Sequence, residues 1–471
     1  MKMYVGGEWI DKRQTIPVSN PYDGSTVDTV PKADLDDVER ALATAVRGAV
    51  AMRKLTGYQR AQILRKAADL LTQRTEDLAR TITMEEGKIL AESRIEVGRA
   101  AEIFNLSAEE AKRLSSEVVP LDGAPGVTTQ FGFTIRVPCG VVVGISPFNF
   151  PLHLVAHKVG PALAGGNSVI LKPATDTPLS ALKLTQALLE AGVPPEGIQC
   201  ITGSGGELGK ALCADPRVRK ITFTGSRDVG EQICKVAGLK KVTMELGSNS
   251  PVIVMPDADM EKVATAIAAT GYANAGQVCI SAQRIIPLAP IYADLLTALK
   301  PKVAAITTGN PLQEGVKMGP MVRESDARRV EAWVREAVDG GARLVVGGER
   351  RGAIYAPTVL ADVKPEMRVS RSELFGPAVA VTPAATVDEA IALANDTNYG
   401  LSAGVFTRSL DSAMRFAREV ESGNIHINWG PQWRVDLMPY GGLKESGFGK
   451  EGPKYAIEEM TELKMVVMHV S

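Results

Sequence analysis

Cys279 stands in Gly276-Gln277-Val278-Cys279, and Glu245 stands upstream in Glu245-Leu246-Gly247. A thiolate can attack an aldehyde carbonyl, and a carboxylate can activate the water that later frees an acyl group from sulfur. Asn149, in Ile145-Ser146-Pro147-Phe148-Asn149-Phe150-Pro151, lies between two prolines that restrict its loop and beside aromatic rings that can exclude water; its amide can donate to an oxyanion. Each residue also has an ordinary reading. An isolated cysteine among small residues is usually inert core, an asparagine in a proline-rich loop usually closes its own turn, and a strand-end glutamate can be ion-paired. Their conjunction points to thiol-based aldehyde oxidation.

These residues need a scaffold. From 139 onward, β-branched runs at 141–145, 168–171, 198–202, 220–223 and 242–244 alternate with amphipathic segments, which predicts a parallel α/β sheet. Asn149 follows the first run and Glu245 the last. Helical spacing over 34–50, opened by Asp34 as N-cap, and over 58–83 makes the first hundred residues read mostly as helix. A second α/β series follows 250, with a strand at Val252-Ile253-Val254, a long helical pattern over 257–279 ending at the cysteine, and strands near 343–346 and 378–382. Thr128 to Val137 alternates as an exposed hairpin strand. Leu463 to Met468 closes the chain as an apolar strand that needs a partner edge, within the subunit or across an interface.

Composition narrows the function classes. The 471 residues are enough for two or three domains, and 53 basic against 54 acidic residues, without a long run of one sign, give no field aimed at nucleic acid or an anionic membrane. Five widely spaced cysteines without a CxxC pair argue for a reducing compartment, and the polar start at Met1 lacks the apolar core of a signal peptide; a cytoplasmic, membrane-free protein is expected. Four histidines with no HExxH spacing leave little material for a metal, and none is expected.

A nucleotide site has three candidates. Gly225 and Ser226 follow strand 220–223 at a turn where backbone N–H groups can face a phosphate, although such turns mostly close βα units without a ligand. The turn from Gly203 to Gly209 resembles a dinucleotide fingerprint with one extra residue before its last glycine. Lys172 ends a strand, where α/β sheets bind ligands; its alternative is a solvated lysine at a helix start.

Together Ser146-Pro147-Phe148-Asn149-Phe150-Pro151, Lys172-Pro173-Ala174, Phe223-Thr224-Gly225-Ser226, Glu245-Leu246-Gly247, Gly276-Gln277-Val278-Cys279, Glu373-Leu374-Phe375-Gly376-Pro377 and the run from Pro439-Tyr440-Gly441 to Gly447 resemble, in order, the aldehyde dehydrogenase superfamily. The likeness extends from Gly6-Gly7-Glu8-Trp9 to the final strand. It implies a Rossmann-like cofactor domain over 1–117 and 139–247, an α/β catalytic domain over 248–454, and a β-arm of 118–138 with 455–471 that pairs subunits into a homodimer or homotetramer. It implies Cys279 as nucleophile, with Asn149 and the Cys279 N–H as the oxyanion hole, where one donor is typically worth about 3 to 4 kcal/mol of barrier. Hydride leaves the thiohemiacetal for the nicotinamide, and Glu245 then serves as base for hydrolysis of the thioester, against the coenzyme-A-acylating branch. Ser146, Pro147, Phe148 and Lys172 fall at cofactor positions, Ser226 beside the pyrophosphate, Glu373 on the nicotinamide ribose and Phe375 near it.

One departure bears on NAD against NADP. Members preferring NAD often carry Glu three residues after the ribose lysine, where this chain has Thr175. A carboxylate repels a 2′-phosphate; threonine does not, and Lys172 attracts it. NADP is therefore expected to be accepted and preferred, with NAD as the second cofactor.

For the substrate, Phe150, His153, His157 and Arg434 are candidates. The Arg434 fork suits a phosphate, phosphonate, sulfonate or carboxylate, and a salt bridge to Asp436 or another local acid is its equal alternative. The loop from Trp429 to Asp436 and the segment 452–461 resemble branches that oxidise short polar aldehydes: non-phosphorylating glyceraldehyde-3-phosphate, phosphonoacetaldehyde and lactaldehyde dehydrogenases. The rival readings are a cofactor-binding structural protein and a thiol esterase on the same fold.

Overall fold

The computed structural model of the protein describes residues 1–470. Ser471, the last residue of the expected arm, lies outside the described residues. The central sheet runs Glu8–Ile10, Met3–Val5, Ile198–Cys200, Ser168–Lys172, Val141–Ile145, Val218–Thr224, Lys241–Glu245 and Gly447–Phe448. Its inner strands pair in parallel, whereas Met3–Val5 with Glu8–Ile10 at one end and Gly447–Phe448 at the other join antiparallel. Val141–Ile145 and Ser168–Lys172 are buried throughout, so both faces are covered and their runs are continuously apolar rather than alternating. Strand order reverses between Val141–Ile145 and Val218–Thr224. At such a switch point the loops after the two strands part and leave a crevice at the carboxyl ends. Residues 146–150 and 225–226 leave the sheet there.

A second sheet, Arg343–Val346, Thr358–Ala361, Ala378–Val381, Arg284–Pro287, Pro251–Val254, Ser402–Phe406 and Asn424–Ile427, has its own buried core. The third joins Thr461–His469 to Gln130–Pro138, from Thr461 opposite Pro138 to His469 opposite Gln130, with Val118–Val119 on the far edge. The terminal strand thus finds its partner edge within the subunit. Phe131, Leu463, Met465, Val467 and Met468 remain exposed.

Two expectations are corrected. The chain opens with strands as far as Thr26–Pro31, because short β-rich runs precede the first N-cap; the helices are Leu35–Lys54, Gly57–Gln73, Thr75–Glu86 and Leu90–Ala111. The pattern over 257–279 is not one helix: Met260–Tyr272 ends, and Asn274, Ala275 and Gly276 turn left-handed with φ of 48°, 53° and 69°. Apolar spacing could not register that break. Gly276 is fixed by a close approach as well, since a Cβ there would meet the Gly376 carbonyl oxygen at 2.1 Å. No helix among the described residues is long and apolar enough to cross a membrane.

Candidate active site

A cleft of about 990 Å³ opens at the switch point. Ser146, Pro147, Phe148, Asn149, Lys172, Thr175, Gly225, Ser226, Glu373, Phe375 and Cys279 all border it, so every residue expected to hold cofactor falls on one surface. Helix Arg227–Ala237 begins at Ser226, whose side chain makes no capping bond, and the first-turn N–H groups face an anion's natural position. Ser146 Oγ is buried without a hydrogen-bond partner among the described residues. Lys172 is 3% exposed; its Nζ donates to the Pro173 carbonyl at 2.7 Å, and burial pulls its pKa down to about 8. Thr175 donates to the Gly203 carbonyl, and Asp176 is neutralised by Arg323. No free carboxylate therefore meets Lys172 from that side. Helix Gly205–Ala214 starts in the extended glycine turn, and Gly205 and Gly206 also border the cleft.

Across the cleft, Phe148 and Phe375 meet edge to face with centroids 5.9 Å apart. Glu373 accepts from the Ser248 N–H at 3.0 Å and presses on Gly247, where a Cβ would lie 2.3 Å from its Oε2. Desolvation raises its pKa to about 7. These buried polar atoms, the uncapped helix and the glycine-lined wall fit a dinucleotide.

Cys279 sits where this cleft ends. Asn149 Nδ2 donates to the Gln277 carbonyl at 2.8 Å, pinning the amide to the cysteine loop and leaving its second hydrogen for another acceptor. The Asn149 carbonyl accepts from Lys88 Nζ at 2.7 Å and Asn274 Nδ2 at 3.2 Å. Lys88 is ion-paired with buried Glu96, whose other oxygen accepts from the N–H groups of Leu152 and His153. The Cys279 thiol pKa is pushed up to about 12, chiefly by desolvation. Glu245 is 3% exposed and neither oxygen has a partner among the described residues. Burial, then the neighbouring Glu451, raises its pKa well above the usual carboxylate range. Held without a partner and with its pKa raised, this carboxyl can take a proton from water only once it has ionised.

Beyond Cys279 lies a polar group joining distant segments. His153 Nε2 lies 3.2 Å from Asp436 Oδ1, Arg99 donates to the same oxygen at 2.8 Å, and Arg434 Nη2 donates to His157 Nε2 at 2.8 Å. Arg434 also reaches Glu451 at 3.3 Å, and Lys158 donates to Thr224 at 2.6 Å and to Glu451 at 3.3 Å. Desolvation keeps both histidines neutral, His157 with its pKa near 4, while the histidines hold the Asp436 carboxyl far below its ordinary range. His153, His157 and Asp436 place ligand atoms within 4.8 Å of one another, but Arg99 binds the same carboxylate and Arg434 faces it, which opposes a further cation.

Arg434 is not the free fork that its residue type alone allowed. Its side chain is 6% exposed and committed to Glu451, His157 and Asp436. The salt-bridge alternative is what the geometry contains. Phe150 packs beside His153 and borders Cys279 on this side, whereas Arg99, 30% exposed, is the arginine of the group that keeps open surface. Arg99, Lys158, Tyr440 and Glu451 were missed by sequence reasoning because their partners are remote in the chain; only Tyr440 carried a signal, a hydroxyl inside an otherwise apolar Pro-Tyr-Gly-Gly turn.

Comparison with known proteins agrees with the cleft and its bordering motifs. The chain is similar to a 3-sulfolactaldehyde dehydrogenase of Priestia megaterium, 49% identical over 99% of this chain and 98% of that one. Among solved structures it is similar to an NADP-dependent glyceraldehyde-3-phosphate dehydrogenase of Bacillus halodurans complexed with NADP (TM-score 0.98, 34% identical, covering 100% of this chain and 99% of that one). An aldehyde dehydrogenase of Physcomitrella patens in complex with the product succinate is also similar (TM-score 0.97, 38% identical, covering 99% and 98%). Residues 9–466 match the aldehyde dehydrogenase family, and the chain belongs to that family.

Proposed function

We propose that the protein oxidises a short anionic aldehyde to its carboxylate, with hydrolytic release and with NADP preferred over NAD. The observation that carries this reading is the position of Cys279, between a dinucleotide-sized cleft and the polar group around Arg99 and Asp436. The sulfur attacks the carbonyl, and the Asn149 amide with the Cys279 N–H receives the developing oxyanion. Bound NADP supplies the hydride acceptor. Glu245 takes the proton of the water that frees the acyl group. Lys172 faces the 2′-phosphate, Ser226 and the following helix turn the pyrophosphate, and Glu373 the nicotinamide ribose. Ser146, Pro147, Phe148 and Phe375 form the walls. Arg99, held flat by Asp436, offers its exposed edge to the substrate anion; His153 donates to Asp436 and orients it, and Arg434 donates to His157 beside it.

The likeness to a 3-sulfolactaldehyde dehydrogenase puts that aldehyde at the head of a panel of sulfonated, phosphorylated, carboxylated and neutral hydroxy-aldehydes, assayed with both cofactors. Higher kcat/KM for anionic members is expected. Arg99→Ala is expected to raise KM for these by roughly tenfold or more, the loss of one charge-assisted pair, with little change for neutral ones. Equal losses across the panel would reject the anion site. Lys172 adds a pH signature: charged below pH 8 and neutral above it, it loses its hold on the 2′-phosphate as pH rises. The Kd for NADP should grow by up to about tenfold per pH unit above 8, while that for NAD changes less.

The exposed apolar face of the terminal sheet supports pairing of subunits into a dimer or tetramer. Light scattering at micromolar concentration should return a multiple of the 50.1 kDa chain mass; a monodisperse monomer would reject it.

A further inference from the structure

We propose that Tyr440 is a second catalytic side chain, whose phenolic hydroxyl donates a hydrogen bond to the Cys279 sulfur and holds it as a thiolate. The inference rests on the reading of Cys279 as nucleophile. Tyr440 Oη lies 3.1 Å from Cys279 Sγ, and this is the only side-chain hydrogen bond of the thiol among the described residues. Tyr440 is 3% exposed, packed with Val278, Ile280 and Leu401. A phenylalanine would serve such a wall equally well, whereas a buried hydroxyl costs stability unless it has a partner. Its partner here is sulfur.

The surroundings make the donor necessary. Burial, and then the charges of Glu245 and Glu373, oppose negative charge on the sulfur; the Tyr440 hydrogen bond and Arg434 favour it. No imidazole takes the part it plays in a Cys–His pair, since His153 and His157 are bound to Asp436 and Arg434, and His426 packs against Trp433. Arg434 lies over the Tyr440 ring with its guanidinium carbon 3.8 Å from the centroid. A cation on the ring face polarises the phenol and makes O–H a better donor. Glu451 sets both partners: its backbone exchanges hydrogen bonds with Tyr440 at 3.1 and 2.7 Å, and its carboxylate holds Arg434. In the activation step the S–H bond breaks and its proton passes to water in the cleft. The phenol keeps its own proton throughout.

The test is the pH dependence of Cys279 alkylation by iodoacetamide in the full-length protein, with Cys279→Ser subtracting the other thiols. Tyr440→Phe should slow alkylation at neutral pH by about tenfold and move the rate profile up by about one pH unit, the effect of one lost hydrogen bond to a charged group. Site-specific 3-fluorotyrosine at 440, a stronger donor, should move the profile down. Melting temperature and NADP binding check that Tyr440→Phe is folded. A Tyr440→Phe profile that coincides with the parent, or one lowered at every pH without a shift, overturns the proposal. So does a fluorotyrosine profile that does not move in the opposite direction. Alkylation needs neither aldehyde nor cofactor, so it is separate from the failure of Cys279 as nucleophile, which would appear as aldehyde oxidation surviving in Cys279→Ser.

Discussion

Cys279→Ser is expected to lower kcat/KM by at least about a thousandfold with every aldehyde, while NADP still binds. The sulfur occupies the position where the cleft ends and the Asn149 amide is pinned, so the geometry for attack survives the exchange. What is lost is nucleophilicity. A serine hydroxyl is far harder to ionise than a thiol, and its neighbours include two carboxyls and no imidazole to take its proton. Fluorescence titration of NADP should give an unchanged Kd, because none of the residues proposed to hold the cofactor is altered and a serine keeps the shape of the cysteine turn. Turnover within tenfold of the parent would remove Cys279 from the mechanism.

Glu245→Gln separates the two halves of the reaction. The proposed base acts only after the acyl group is on sulfur, so the first turnover should survive as a burst of about one reduced cofactor per active site. Steady-state turnover should then fall by about 10²- to 10⁴-fold, the usual range for a lost general base. The pH dependence has a fixed sign. A base must be ionised to act, and burial with Glu451 nearby raises the Glu245 pKa, so the parent's hydrolytic rate should still be climbing with pH above the usual carboxylate range. The Gln variant should lack that limb. A variant with full turnover, or with neither burst nor turnover, would contradict the assignment.

The parts of the site legible in the sequence are those whose chemistry is local. Lys172 at a strand end, Ser226 at a helix start and Asn149 between prolines are each marked within a few residues, and all three border the cleft. The group beyond Cys279 was opaque for the opposite reason: Arg99, His153 and Asp436 come from a helix, a helix start and a late loop, and no spacing rule relates them. Arg434 shows the cost of this gap. Its residue type matched an anion, but its partners 451 and 157 decide its state, and only the fold reveals them. The helix expected up to Cys279 failed similarly, since three successive left-handed residues are set by contacts with Glu86, Glu92 and Gly376 rather than by their own propensities.

That left-handed turn also divides labour within the enzyme. Gly276 is wedged against the backbone of Gly376, directly after Phe375 and three residues from Glu373, so the nucleophile and the proposed ribose clamp form one rigid piece. The spacing between sulfur and cofactor is thereby insulated from the exposed side chains of Trp429, Trp433, Val435 and Leu437. Those exposed side chains can change while Gly276 and Gly376 keep that spacing, whereas Arg434 in the same loop is tied through Tyr440 to the sulfur.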